Sequence, residues 1–125
     1  MSAAFCESKP RVLLVNHRAE VGNFILTMLK CCGYEAVRCS NVKQCLELVP
    51  LFDPDIILLD INFRERITLE IIADLREFSM IPVVVLGRDY NLREEALAAG
   101  ASDFLSKPFI QDELTSIMKH VLLSG

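Results

Sequence analysis

Short runs of β-branched and aliphatic residues alternate along this chain with longer stretches in which apolar residues recur at helical spacing. The short runs predict five strands, at residues 11–15, 35–38, 55–59, 82–86 and 102–105. The third and fourth runs, IILL and VVVL, are apolar on both faces, which is typical of parallel strands covered by helices on both sides. The pattern therefore predicts an α/β fold, a doubly wound five-stranded parallel sheet.

Helical periodicity predicts a helix after each strand. The first helix has an apolar stripe that we expect to be buried, made of Val21, Phe24, Ile25, Met28, Leu29 and Cys32. Gly33 follows it and is expected to end it in a left-handed conformation. The third helix is predicted at residues 67–78, and the fourth, at 92–99, has a thin apolar face. The second and fifth stripes are Val42, Cys45, Leu46 and Val49, and Leu114, Ile117, Met118, Val121 and Leu122.

Composition limits the function classes. A chain of 125 residues that is 52% hydrophobic and 24% charged can bury one core, so we expect residues 1–125 to form a single domain with an N-terminal extension at 1–10. The net charge of -4 argues against direct nucleic-acid contact. The first residues lack a secretory pattern and no apolar run reaches membrane-spanning length, so we expect a cytoplasmic protein without a membrane contact.

The five cysteines do not form a recognisable metal-binding pattern. They show no C-x-x-C spacing and no histidine at zinc-finger distance. We expect buried or idle thiols at Cys6, Cys31, Cys32, Cys39 and Cys45.

Polar residues follow four of the predicted strands, at the sheet edge where doubly wound folds bind ligands. They are Asn16 and His17, Asp60 and Asn62, Gly87 and Arg88, and Lys107. With these residues in place, the segments VLLVNHR, DPDIILLDIN, IPVVVLG and AGASDFLSKPF resemble, in order and spacing, the receiver domains of response regulators. The resemblance covers residues 11–123.

The resemblance implies a flavodoxin-like (βα)5 fold with strand order 2-1-3-4-5, and it assigns expected roles. Asp60 lies at the position that accepts a phosphoryl group from a histidine kinase, and Lys107 at that of the lysine contacting the acceptor and its phosphate. Asn62 matches the position whose backbone ligates a metal. Phe104 matches an aromatic residue that moves between exposed and buried positions in relatives.

Three departures from the family pattern change the expected chemistry. Asn16 and His17 replace the acid pair that holds magnesium, and neither is an anion, so we expect magnesium to bind weakly and no metal to bind with high affinity. Gly87 lacks the hydroxyl that meets the phosphate, and Arg88 is a large cation where a small residue is usual. His17 is either a loop residue or, less favoured, a ligand. Arg88 pairs either with a nearby acid, Asp89 or Glu94, or with Asp60.

These features leave three functions open, and none of them is an enzyme. The first is a receiver in a phosphorelay, with Asp60 as phosphoacceptor position and magnesium-dependent phosphorylation weakened or lost. The second is a phosphorylation-independent pseudo-receiver that acts by protein contacts alone. The third is a small nucleotide- or flavin-binding protein. It is the least favoured, because the loop after the first strand has no glycine-rich phosphate cradle.

The resemblance also suggests partners. They are a histidine kinase or phosphotransfer protein, an output domain or partner on the face formed by the fourth helix, fifth strand and fifth helix, and a second copy in a homodimer. The chain is compatible with a stand-alone regulator and with a receiver excised from a longer protein.

Overall fold

The computed structural model describes residues 9–61, 65–77 and 79–124, and it describes the side chains of these residues except 65–68. The strands are β1 (Arg11–Val15), β2 (Glu35–Cys39), β3 (Ile56–Asp60), β4 (Val83–Gly87) and β5 (Asp103–Ser106). The helices are α1 (Ala19–Cys31), α2 (Val42–Phe52), α3 (Glu65–Arg76), α4 (Arg93–Ala99) and α5 (Gln111–Ser124), with a 3₁₀ turn at Tyr90–Leu92 before α4.

All strand pairs are parallel, in the order β2-β1-β3-β4-β5, which confirms the predicted topology. From β1 the chain crosses to β2 on one side and then to β3 on the other. The strand order therefore reverses at β1 and β3, and their carboxyl ends border the crevice where this class of sheet binds ligands.

The sheet has an apolar core on each face. Alternate residues of β1 point to opposite faces, Leu13 and Val15 to one and Val12 and Leu14 to the other. The first face packs against α2, α3 and α4, and the second against α1 and α5. Helices thus cover both faces, which explains why β3 and β4 are apolar throughout.

Three strands lie one residue further along the chain than predicted. Asp60 pairs in register with Leu86, and Gly87 with Ser106, so Asp60 and Gly87 are the last residues of β3 and β4 instead of loop residues. A parallel ladder is built from backbone groups, so it continues past the apolar run that the sequence pattern marks. The consequence is that the sheet holds the backbone of both residues.

The buried face of α1 differs from the predicted stripe. Val21 and Phe24 are 39% and 67% exposed, whereas Gly22, Ile25 and Leu29 are buried. These three follow i, i+3, i+7 spacing, and the glycine takes the place at which an apolar side chain was expected. Gly33 has a φ of 93°, which confirms the predicted left-handed residue after this helix.

The other helices match the prediction with small shifts. The third begins two residues earlier than expected and ends at Arg76; its predicted end, Phe78, lies outside the described residues. The fourth begins one residue later than expected, and Ala96 is its buried residue, in agreement with the predicted thin apolar face. The β2 strand extends one residue beyond Arg38.

Candidate functional site

The carboxyl ends of the strands bring together residues that are far apart in sequence. Asn16 directly follows β1, Asp60 ends β3, and Lys107 directly follows β5. Backbone hydrogen bonds continue the ladders past the strand ends, from the Ile61 amide to the Leu86 carbonyl at 2.9 Å and from the Lys107 amide to the Gly87 carbonyl at 2.8 Å. These bonds fix the backbone at Ile61, next to Asp60, and at Lys107, whose side chain reaches Asp60.

Both carboxylate oxygens of Asp60 have a partner. Lys107 Nζ forms a salt bridge with Oδ1 and also faces the Ile61 carbonyl at 3.4 Å, while Asn16 Nδ2 donates to Oδ2. The Asp60 side chain is 7% exposed and that of Lys107 22%. A carboxylate removed this far from water needs charged or strong donors, and here an ammonium and an amide supply them.

Arg38 completes this cluster, although no sequence pattern predicted it as a site residue. Its Nη2 donates to the Asn16 carbonyl at 2.8 Å, and its Nε faces Asn16 Oδ1 at 3.5 Å. Asn16 is 2% exposed and therefore lies between Arg38 and Asp60 in a nearly closed site. The available signal was position, because Arg38 ends the second predicted strand at the same sheet edge as the other site residues.

Other predicted site residues do not join the cluster. His17 and Arg88 are exposed, and within the described residues no hydrogen bond or ion pair links either of them to Asp60. Arg88 likewise forms no ion pair with Asp89 or Glu94 in that part of the chain, so neither of its expected pairings is formed. Asn62 lies outside the described residues.

Phe104 is buried beside Gly87. Phe104 is 4% exposed, and a Cβ built on Gly87 would lie 3.0 Å from Phe104 Cζ and 3.0 Å from two side-chain carbons of Ile61. Tyr90 packs edge-on against the ring, at 6.0 Å between centroids and 81° between planes. The absence of a side chain at Gly87 is therefore what leaves room for the ring in this position.

The thiols lie apart from this cluster. Cys39 and Cys45 are buried and Cys31 is exposed, and Cys6 lies outside the described residues. The hydrogen bond with Cys39 and then burial raise the pKa of the Cys45 thiol far above its usual range. Cys45 is therefore protonated and unreactive near neutral pH.

The comparison with protein families decides the identity. The sequence profile described as the response regulator receiver domain matches residues 12–119. This chain belongs to the response regulator receiver domain family.

The receiver domain also resembles curated proteins and solved structures. The KDP operon transcriptional regulatory protein KdpE of Escherichia coli (strain K12) is 33% identical over 113 residues, which are 89% of this chain and 50% of that protein. The transcriptional regulatory protein BaeR of Escherichia coli O6:H1 is 29% identical over 118 residues, 93% of this chain and 49% of that protein. The receiver domain thus spans about half the length of these relatives.

Solved receiver structures share the fold. The receiver domain of the Francisella response regulator 1452 aligns with a TM-score of 0.82 at 24% identity, covering 93% of this chain and 98% of that one. The chemotaxis protein CheY4 of Vibrio cholerae aligns with a TM-score of 0.79 at 22% identity, covering 90% of this chain and 98% of that one.

No helix in the described part of the receiver domain is long and apolar enough to cross a membrane.

Magnesium does not fit the donor set that the receiver domain offers in its described residues. They contain no group of three or more His, Cys, Asp or Glu side chains that could hold a metal. Asp60 is the carboxylate in the cluster, and both of its oxygens already accept from Asn16 and Lys107. Magnesium requires octahedral oxygen coordination, usually with one or two carboxylates, whereas Asn16 turns an N–H toward the site.

Proposed function

We propose that this receiver domain acts in phosphorelay signal transduction with Asp60 as its phosphoacceptor position, and that magnesium-dependent phosphorylation there is weakened or lost. The observation that carries the proposal is the occupation of both Asp60 oxygens by Asn16 and Lys107. Lys107 supplies a single positive charge beside the acceptor. Asn16 adds a donor but no charge.

The chemistry of phosphoryl transfer explains why this arrangement weakens the reaction. An attacking carboxylate and the incoming phosphoryl group are both anions, so the reaction depends on charge neutralisation and on a free lone pair in line with the phosphorus. In the proposed site each Asp60 oxygen would attack while it accepts a hydrogen bond from Asn16 or Lys107, which lowers its nucleophilicity. Without a metal, Lys107 would be the one cation of the described residues in direct contact with Asp60 to neutralise the developing charge.

Partners follow from the same proposal. A histidine kinase or phosphotransfer protein would deliver the phosphoryl group, and an output domain, a partner protein or a second copy would contact the face formed by α4, β5 and α5. The half-length match to KdpE and BaeR supports an output domain, either in the same polypeptide or as a separate partner. We further propose that residues 1–125 form a single receiver domain.

Incubation with a small phosphodonor, with and without magnesium, tests the proposal by intact mass and peptide mapping. We expect little modification of the natural protein in either condition and more in Asn16→Asp/His17→Asp when magnesium is present. Asp60→Asn in the acid-pair background should abolish that gain. Rapid magnesium-dependent labelling of Asp60 in the natural protein would refute the weakened reaction, and labelling elsewhere would refute the acceptor position.

A second candidate function, a phosphorylation-independent pseudo-receiver, is supported by the packing at Gly87. Phe104 is already buried against the position where a hydroxyl side chain would otherwise stand. A phosphate on Asp60 would find no side-chain hydroxyl at Gly87 with which to change this packing. The α4–β5–α5 face would then respond to partner binding, because a ligand shifts a two-state equilibrium only through different affinities for the two states.

A further inference from the structure

Arg38 reaches the acceptor pocket from the edge of the sheet. It pairs in register with Leu14, so its side chain lies on the face of the sheet that α1 covers. The guanidinium there donates to the Asn16 backbone carbonyl at 2.8 Å, which is a strong charge-assisted hydrogen bond. Arg38 has no carboxylate partner among the residues that the structure describes.

The orientation of the Asn16 amide is determined by its two neighbours. The Asp60 carboxylate can only accept, so it requires the Asn16 NH₂ group. The Arg38 guanidinium can only donate, so it requires the amide oxygen, which faces Nε at 3.5 Å. Both neighbours therefore favour the same rotamer, with Asn16 acting as a donor toward Asp60.

Gly22 provides the space for this arrangement. A Cβ at this position of α1 would lie 2.6 Å from Asn16 Oδ1 and 2.7 Å from both Cδ and Nε of Arg38. Glycine is less favourable than alanine within a helix. Here it allows α1 to pack directly over the contact between Arg38 and Asn16.

The charges of the cluster determine which ions it can accept. Arg38 and Lys107 are cations and Asp60 is the one carboxylate that contacts them or Asn16, so the described cluster carries a net positive charge. A divalent cation approaching Asp60 meets this charge as well as the Asn16 N–H group. We propose that Arg38 is a positioning residue that aims the Asn16 amide at Asp60, and that its charge makes the pocket exclude divalent metals.

This inference rests on the proposed function only in taking the Asp60 pocket as the site, and metal binding tests it without any phosphorylation. Isothermal titration with magnesium would compare Asn16→Asp/His17→Asp alone and in combination with Arg38→Met. We expect the acid pair alone to bind magnesium weakly, and the added Arg38→Met to tighten binding at least tenfold. Equal affinities with and without Arg38→Met would overturn the proposal.

Two further variants separate charge from packing. Arg38→Lys in the acid-pair background retains the charge, so we expect it to keep magnesium binding weak. Lys30→Met removes the same charge from an exposed position in the last turn of α1, and we expect it to leave the affinity within about twofold of the acid-pair protein. If Arg38→Lys binds as tightly as Arg38→Met, or if Lys30→Met tightens binding equally, Arg38 does not act through its local charge.

The natural background provides a measurement that survives if the combined variants fail to fold. In ¹H–¹⁵N spectra we expect the Asn16 side-chain amide to be shifted from its free value and slow to exchange, because it is held between Arg38 and Asp60. Arg38→Lys should keep most of that shift, whereas Arg38→Met should reduce it and speed the exchange, because the Asp60 carboxylate alone would then hold the amide. An Asn16 amide signal unchanged by Arg38→Met would overturn the positioning role.

Discussion

The salt bridge between Lys107 and Asp60 leads to a quantitative prediction about stability. Lys107→Met removes the ammonium but keeps most of the aliphatic stem, leaving a carboxylate that is 7% exposed with the Asn16 amide as its remaining side-chain partner. Breaking a buried ion pair costs about 3–5 kcal/mol, and a lost partner for a buried polar group about 1–3 kcal/mol. Because the Lys107 side chain is 22% exposed, water relieves part of this penalty. We therefore expect a loss of about 2 kcal/mol in the free energy of unfolding.

Urea denaturation followed by circular dichroism measures this loss. With an m-value of about 1–3 kcal/mol/M, the midpoint should fall by roughly 1 M. Lys119→Met is the matched control, because Lys119 is exposed on α5 and its replacement should change stability by no more than about 0.5 kcal/mol.

The double variant Asp60→Asn/Lys107→Met distinguishes a lost ion pair from lost packing. Once the carboxylate is replaced by a neutral amide, removing the ammonium no longer strands a buried charge. We expect the double variant to recover most of the stability that Lys107→Met loses, giving a coupling energy of about 1–2 kcal/mol. Denaturation of Lys107→Met at the same urea concentration as the natural protein would contradict a stabilising ion pair. A loss in the double variant equal to the sum of the losses in Asp60→Asn and Lys107→Met would contradict it too.

Three other predictions follow from the described contacts. Gly87→Thr should lower the free energy of unfolding by about 1–3 kcal/mol, because its Cβ would lie 3.0 Å from the Phe104 ring. Adding Phe104→Leu should recover part of that loss in thermal melts. Equal stability of Gly87→Thr and the natural protein would contradict the close packing. In sedimentation velocity, a beryllofluoride phosphate mimic at Asp60 should change the self-association of the natural protein little. The same mimic should have a larger effect on Gly87→Thr with the acid pair restored. A strong response of the natural protein would favour a working phosphoryl switch. Alkylation monitored by mass spectrometry should label exposed Cys31 but not Cys45, whose pKa is raised by its hydrogen bond with Cys39 and by burial. Rapid labelling of Cys45 would show that the thiol is accessible.

The elements and their order could be predicted because each depends on residues close in sequence. Alternation of short apolar runs with helical stripes is a local property, and a parallel sheet covered on both faces is the arrangement that buries both patterns. Local patterns fail at boundaries, where backbone pairing continues through Asp60 and Gly87 regardless of side-chain polarity. They also fail for Phe24, because helical spacing indicates an apolar stripe but does not show which side of that stripe packs against the sheet.

Residue types at the strand ends identified most of the candidate site, but only the tertiary structure determined how they contact one another. Asp60 is 44 residues from Asn16 and 47 from Lys107, and Arg38 is 22 from Asn16. The sequence shows that an acid pair is missing, whereas the direction of the Asn16 amide depends on a donor from β2 and an acceptor from β3. That direction arises from hydrogen bonding between separate strands, which no local pattern encodes.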